Sequence, residues 1–234
     1  MRKLADAIAG YLADGYRFEK LEPDPTADRS APPVFLIHGW GVRAASMRAL
    51  GEALARNGMT VYNYDYPSSR RTIGEHAAIF LALYRQSLAA EHIGEQVRFV
   101  THSMGGILLR AALAHMTEAE CRNVDAVVML GPPNRGSVLA AFGDNALVRR
   151  VNASLGDMTT DEKSFVNHLP PPLVLPPVGI VAGRFDGKVA LENTGLPDGQ
   201  PFERIVVDCT HPGLRNPRHT LEAVLRFLRR KTFA

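Results

Sequence analysis

Val97-Arg98-Phe99-Val100-Thr101-His102-Ser103-Met104-Gly105-Gly106 changes its chemistry abruptly at Ser103. Val97 to Thr101 is a short apolar run of the kind that forms a strand covered on both faces. Beyond the two glycines, Ile107 to Met116 is patterned as a helix. A serine squeezed between strand and helix can be forced into a strained backbone conformation that exposes its hydroxyl above a sheet. Gly105 leaves room for the helix to approach closely, and the backbone N–H of Met104 falls at a helix N-terminus, where it can stabilise an oxyanion. Thr101 occupies the first glycine position of the Gly-x-Ser-x-Gly pattern, and threonine is small enough to fit beside the turn. The alternative is that Ser103 only caps the helix that begins at Met104.

Working outward, five further apolar runs punctuate the chain: Val34 to Ile37, Thr60 to Tyr64, Ala126 to Leu130, Val178 to Ala182, and Arg204 to Asp208. Helical patterns fill the gaps. Met47, Leu50 and Leu54 share a face that Asn57-Gly58 terminates. Thr72 and Glu75 form a capping box ahead of a stripe from Ile73 to Leu88. Asn216 and Pro217 open a last helix that buries Leu221, Val224, Leu225 and Leu228. Strand-helix alternation predicts an α/β fold with about six mainly parallel strands and helices on both faces. Residues 1–32 read as an N-terminal helix and lead-in, and residues 33–234 as the main domain. In such a sheet, chemistry gathers on loops at the carboxyl ends of the strands.

Composition narrows the function. The chain has 234 residues, 46% hydrophobic, with a formal net charge of +3. Arg70-Arg71, Arg149-Arg150 and Arg229-Arg230 are too dispersed for nucleic-acid binding. No apolar run approaches the roughly 20 residues of a membrane span. Asp6 and Asp14 interrupt the apolar stretch that a signal peptide requires, so the chain reads as cytoplasmic by default, unless an export signal has been trimmed from it. No cysteine or histidine spacing suggests a metal. Cys121 precedes one strand and Cys209 follows another, which sets them on the order of 15–20 Å apart, beyond disulfide reach.

A serine nucleophile needs a base, and the base needs a carboxylate to orient it. In strand-turn-helix sites of this type the order along the chain is Ser, acid, His. Of eight histidines, His38, His76, His92 and His102 precede Ser103, His115 lies in the following helix and His168 precedes the acid-bearing strand. His211 follows the last strand directly; His219, in the first turn of the terminal helix, is the other candidate. Asp186 occupies a glycine-flanked loop after Val178 to Ala182, with Glu192 and Asp198 as alternatives in the same connection. His38-Gly39-Trp40-Gly41, about 65 residues before Ser103, ends the first apolar run and can turn the Trp40 amide toward a developing oxyanion. His38 then fixes the loop.

These stretches resemble the α/β-hydrolase superfamily, and within it a branch of small lipase-like serine esterases. VFLIHGWG (34–41), VRFVTHSMGG (97–106), VVMLGPPNRGS (127–137), AGRFDGKV (182–189) and CTHPGLRNP (209–217) carry the likeness. The resemblance implies an esterase or lipase acting through an acyl-enzyme on Ser103, with Asp186 and His211 completing a triad and no cofactor or metal. It implies a small-molecule or lipid ester as partner, and a buttressing role for Asn134. It also makes 138–177, with amphipathic Val138 to Val151 and a proline-rich run, the place where a lid would be inserted; a fixed helix and long loop is the alternative. Trp40, Met104, Val138, Leu139, Phe142 and Leu147 are candidates for an apolar substrate wall, Trp40 and Phe142 foremost. Acyl transfer by the same intermediate, or a non-catalytic relative, are the competing functions.

Overall fold

The interior apolar runs become strands here because helices cover both of their faces. The computed structural model describes residues 2–26, 31–91, 93, 96–137, 154–197 and 199–234, side chains of 2–5 excepted. In chain order the elements are α1 (Arg2–Ala13), β1 (Arg17–Leu21), β2 (Val34–Ile37), α2 (Arg48–Arg56), β3 (Val61–Asp65), α3 (Ile73–Ala90), β4 (Val97–His102), α4 (Met104–Leu113), α5 (Glu118–Arg122), β5 (Val124–Leu130), β6 (Val178–Gly183), β7 (Glu203–Val207) and α6 (Pro217–Arg230). They build a seven-stranded sheet in the order β1-β3-β2-β4-β5-β6-β7. The six expected strands run parallel. β1 adds an antiparallel edge, Phe18 opposite Tyr64, that the apolar-run criterion does not detect. Its sequence, Arg-Phe-Glu-Lys-Leu, places both charged and apolar residues on each face, with Arg17 and Lys20 exposed and Phe18 and Leu21 packed on opposite cores.

Side chains alternate between two cores. Phe35, Tyr62, Tyr64 and Phe99 face α3 and α4, where they meet Phe18, Phe80 and Tyr84. Val34, Leu36, Val100, Val128 and Val181 face α2 and α6. Asn63 and Asp65 point to that second side as well, and each bonds to the segment that follows β2. Asn63 donates to Ala44 O, and Asp65 accepts from Arg43 and the Ala44 amide. Both predicted caps form: Thr72 and Glu75 close a capping box, and Asn216 Oδ1 accepts from Arg218 N.

The connections create the site's position. From β2 the chain passes to β3 on one side, then crosses back to β4 on the other, with Ile37 paired to Thr101. The carboxyl ends of β2 and β4 therefore flank the point where strand order reverses, the usual location of a ligand crevice in an open α/β sheet. At the opposite end of the sheet, Asp125 binds Arg98 at 2.6 Å and Lys231 at 2.5 Å, tying the terminal helix to β4 and β5. Phe227 anchors the same helix, packed against Gly179 and Phe233. Phe227→Ala leaves a cavity and is expected to cost about 3–5 kcal/mol. Urea unfolding should show a lower midpoint with an unchanged slope.

Candidate active site

Ser103 has φ 53° and ψ −127°, a conformation rare for a residue with a side chain. It is imposed from both sides, because β4 ends at His102 and α4 begins at Met104. The Ser103 amide donates to Leu130 O and its carbonyl accepts from Gly106 N, both at 2.9 Å. Its side chain makes no cap hydrogen bond to α4, so capping is not its role. α4 starts directly over β2: a Cβ on Gly105 would fall on Ile37 O and lie 2.7 Å from His38 O. Thr101 is accommodated by a second glycine, since a Cβ on Gly106 would sit 3.3 Å from its hydroxyl.

The loop after β2 is held by its histidine. His38 Nδ1 donates to Gly39 O at 2.8 Å, its ring stacks on Tyr66 at 4.2 Å, and the Tyr66 hydroxyl donates to His38 O at 2.8 Å. Burial pushes the His38 pKa down to about 4, so the ring is a neutral fixture of the loop. The Gly41 amide is engaged by Ser68 Oγ. Between these two, Trp40 lies at the rim of a cavity, 37% exposed.

The acid and base loops converge on the same place. Asp186 Oδ2 accepts from His211 Nδ1 at 2.6 Å, and Oδ1 accepts the Lys188 and Val189 amides at 2.9 Å each. Burial alone would raise the Asp186 pKa, but His211 and the two amides outweigh it and hold the carboxyl below its ordinary range. With Nδ1 so engaged, Nε2 is the imidazole nitrogen left for chemistry. Glu192 lies exposed on a short turn of Leu191–Thr194, and His219 is exposed on α6. Asp198 lies outside the described residues.

Two residues that chain order and strand ends do not single out support this pair. His102 Nε2 donates to His211 O at 3.0 Å, with the rings 4.7 Å apart; burial, then the neighbouring His211, drives its pKa well down, keeping it neutral. Gly131, with φ 55°, closes β5 under the pair, where a Cβ would lie 3.2 Å from both Asp186 Oδ2 and His211 Nδ1. Its signal in the sequence is a glycine directly after a buried strand, ahead of Pro132-Pro133.

Ser103 and His211 line a single cavity of about 250 Å³, walled by Trp40, Val42, Pro133, Leu155, Met158 and Val189 among others. The Met104 side chain turns into the core instead of the cavity. Phe142, Val138, Leu139 and Leu147, with the rest of 138–153, lie outside the described residues. Asn134 is fully buried beside the cavity loop: its amide donates to Thr194 O, and its carbonyl accepts from Arg110. Among the described residues no group of His, Cys, Asp and Glu is arranged to hold a metal, and no helix is long and apolar enough to cross a membrane. Cys121 and Cys209 are both buried free thiols.

Residues 34–229 match the model of the alpha/beta hydrolase family. The chain belongs to the α/β-hydrolase family. Among solved structures it is similar to the Bacillus licheniformis lipase BlEst2 in its mature form, at 18% identity and TM-score 0.71, covering 90% of this chain and 97% of that one. The propeptide form of that lipase aligns at 20% identity and TM-score 0.75, over 90% of this chain and 53% of that one, so the present chain spans about half its length. A structure from a study of carboxylesterases of Nitrososphaera gargenis aligns at 16% identity and TM-score 0.58, over 92% and 94% of the two chains. At these identities the likeness is one of fold. No curated protein matches the sequence.

For this α/β-hydrolase the lowered pKa of Asp186 has a stability consequence. A carboxyl whose pKa falls on folding stabilises the native state above its unfolded value, about 3.9, and the contribution is lost as pH falls through the folded value. Asp186→Asn should therefore cost about 1–3 kcal/mol at neutral pH. The gap to the wild type should close as pH is lowered below about 4. Thermal unfolding of both proteins across that range measures it.

Proposed function

We propose that this α/β-hydrolase is a serine esterase that cleaves carboxylic esters through an acyl-enzyme on Ser103. The observation that carries the reading is the convergence on one cavity of a strained, uncapped serine and a histidine whose Nδ1 is held at 2.6 Å by a buried carboxylate. His211 Nε2 takes the Ser103 proton as Oγ bonds to the substrate carbonyl carbon. Asp186 holds the tautomer and balances the charge that forms on the ring. The oxyanion sits against the Met104 amide, one of the free N–H groups that begin α4, and against the Trp40 amide of the loop. Collapse breaks the bond to the alcohol oxygen, which leaves with the proton from His211. Water then repeats the sequence on the acyl-enzyme and regenerates Ser103.

The apolar walls and modest volume of the cavity suit a short or medium acyl chain. The family match and the esterase and lipase neighbours support hydrolysis as the reaction class. A fluorophosphonate probe should label the wild type and fail to label Ser103→Ala. The same variant should lose about 10⁴–10⁶ in kcat on p-nitrophenyl butyrate. Undiminished labelling and turnover in Ser103→Ala would remove the serine from the reaction.

A further inference from the structure

The molecule handles its buried arginines consistently. Arg110, deep in α4, directs its guanidinium to Asn134 O and Val166 O. Arg98, buried in β4, pairs with Asp125. Arg215 is the departure. It ends the short turn Pro212–Arg215 that begins straight after His211, and it lines the cavity shared by His211 and Ser103. It is partly buried, its Nε is out of contact with water, and neither that atom nor the rest of the guanidinium has a hydrogen-bond or ion-pair partner among the described residues.

A second cation borders the same space. Lys188 follows Asp186 by two residues and lines the cavity. Its backbone is fastened twice, by its amide to Asp186 Oδ1 and by its carbonyl accepting from Ser137 Oγ at 2.7 Å. Its ammonium forms no ion pair among the described residues, whose charge pairs lie elsewhere. Among the described residues no carboxylate answers these two charges. Asp186, the partner of the cavity-lining His211, has both oxygens engaged by His211 and two amides. The described cavity wall therefore combines apolar surface with two unanswered positive charges and no free negative one. Holding a guanidinium partly out of water without a partner is unfavourable, and burial lowers the Arg215 pKa accordingly. An anion bound there would remove that penalty, and the planar fork of arginine suits two oxygens of a carboxylate or phosphate.

We propose that the ester cleaved in this cavity also carries an anionic group, a carboxylate or phosphate set apart from the scissile bond, and that Arg215 binds it with help from Lys188. The proposal rests on the reading of Ser103 as the nucleophile and adds to it the charge of the substrate. Arg215 is thus a specificity residue. Half-buried charge-assisted contacts of this type are worth about 10–100-fold in kcat/KM.

The test uses two matched pairs of esters followed by acid release in a pH-stat. Monomethyl glutarate against methyl hexanoate places the anion on the acyl side, and butyryloxyacetate against propyl butyrate places it on the alcohol side. The wild type should prefer the anionic member of one pair by at least about tenfold in kcat/KM, with the preference shrinking as salt is raised. Arg215→Ala should reduce that anionic-to-neutral ratio by about 10–100-fold. Arg215→Lys, which keeps the charge without the fork, should retain part of it, and Lys188→Ala, on an exposed loop, should lower it less. Circular dichroism of each variant checks the fold. Neutral esters preferred in both pairs, with ratios unmoved in Arg215→Ala and Lys188→Ala, would overturn the proposal while leaving the Ser103 reading intact. Absence of turnover on all four esters together with no fluorophosphonate labelling would instead overturn the Ser103 reading, and this proposal with it.

Discussion

The approach of α4 onto the end of β2, with Gly105 against the carbonyls of Ile37 and His38, is the contact on which the rest depends. No residue besides Ser103 lies between β4 and α4, so the chain must reverse within one peptide unit. Residues held in sparsely populated backbone regions cost about 1–3 kcal/mol and persist only where their surroundings over-determine them. Here the hydrogen bond from Ser103 N to Leu130 O, the bond from Gly106 N to Ser103 O and the packing of α4 do so together. The same short turn aims the first amides of α4 outward from the sheet, toward the crevice that the strand order creates between β2 and β4. One steric condition thus places a hydroxyl and hydrogen-bond donors in the same few ångströms of space.

Around that point, ionisation is partitioned by burial. His38 and His102 are dehydrated and neutral, each serving as a hydrogen-bonded brace for the loop or strand end next to it. Among the described residues, His211 alone of the histidines has a carboxylate partner. A neutral brace can sit close to a reacting centre without adding charge to it, which is why a second and third imidazole are tolerated so near Ser103. The carboxylate, in turn, is stabilised as an anion by donors on three residues, not left to compete for water.

Five of the seven strands, β2 to β6, are legible in the sequence because parallel strands covered on both faces are largely apolar, and the half-exposed edge strand β7 is legible through Ile205-Val206-Val207. β1 is not, since an edge strand with Arg17, Glu19 and Lys20 has the composition of a loop until its partner β3 is known. The residues now proposed as nucleophile, acid and base are legible for a related reason: each lies in the loop that follows a strand, and strand ends are easy to locate. Gly131, His102 and Arg215 are harder to find. Gly131 matters because Asp186 and His211, distant in sequence, arrive above it; His102 matters through a carbonyl 109 residues away. Arg215 looks like any other arginine of a basic chain until the cavity shows that none of the described residues answers its charge. Such roles belong to pairs of elements and have no local pattern.

Trp40 is the one tryptophan in the chain, and it stands at the rim of the cavity, 37% exposed, in the loop that follows β2. The interior aromatic cluster is built wholly from phenylalanine and tyrosine. Indole emission from this molecule is therefore a spectroscopic signal from a single address. It reports the polarity at the mouth of the cavity and is blind to the core, so ligand entry and loop rearrangement can be followed by fluorescence in the unmodified protein, without an attached dye.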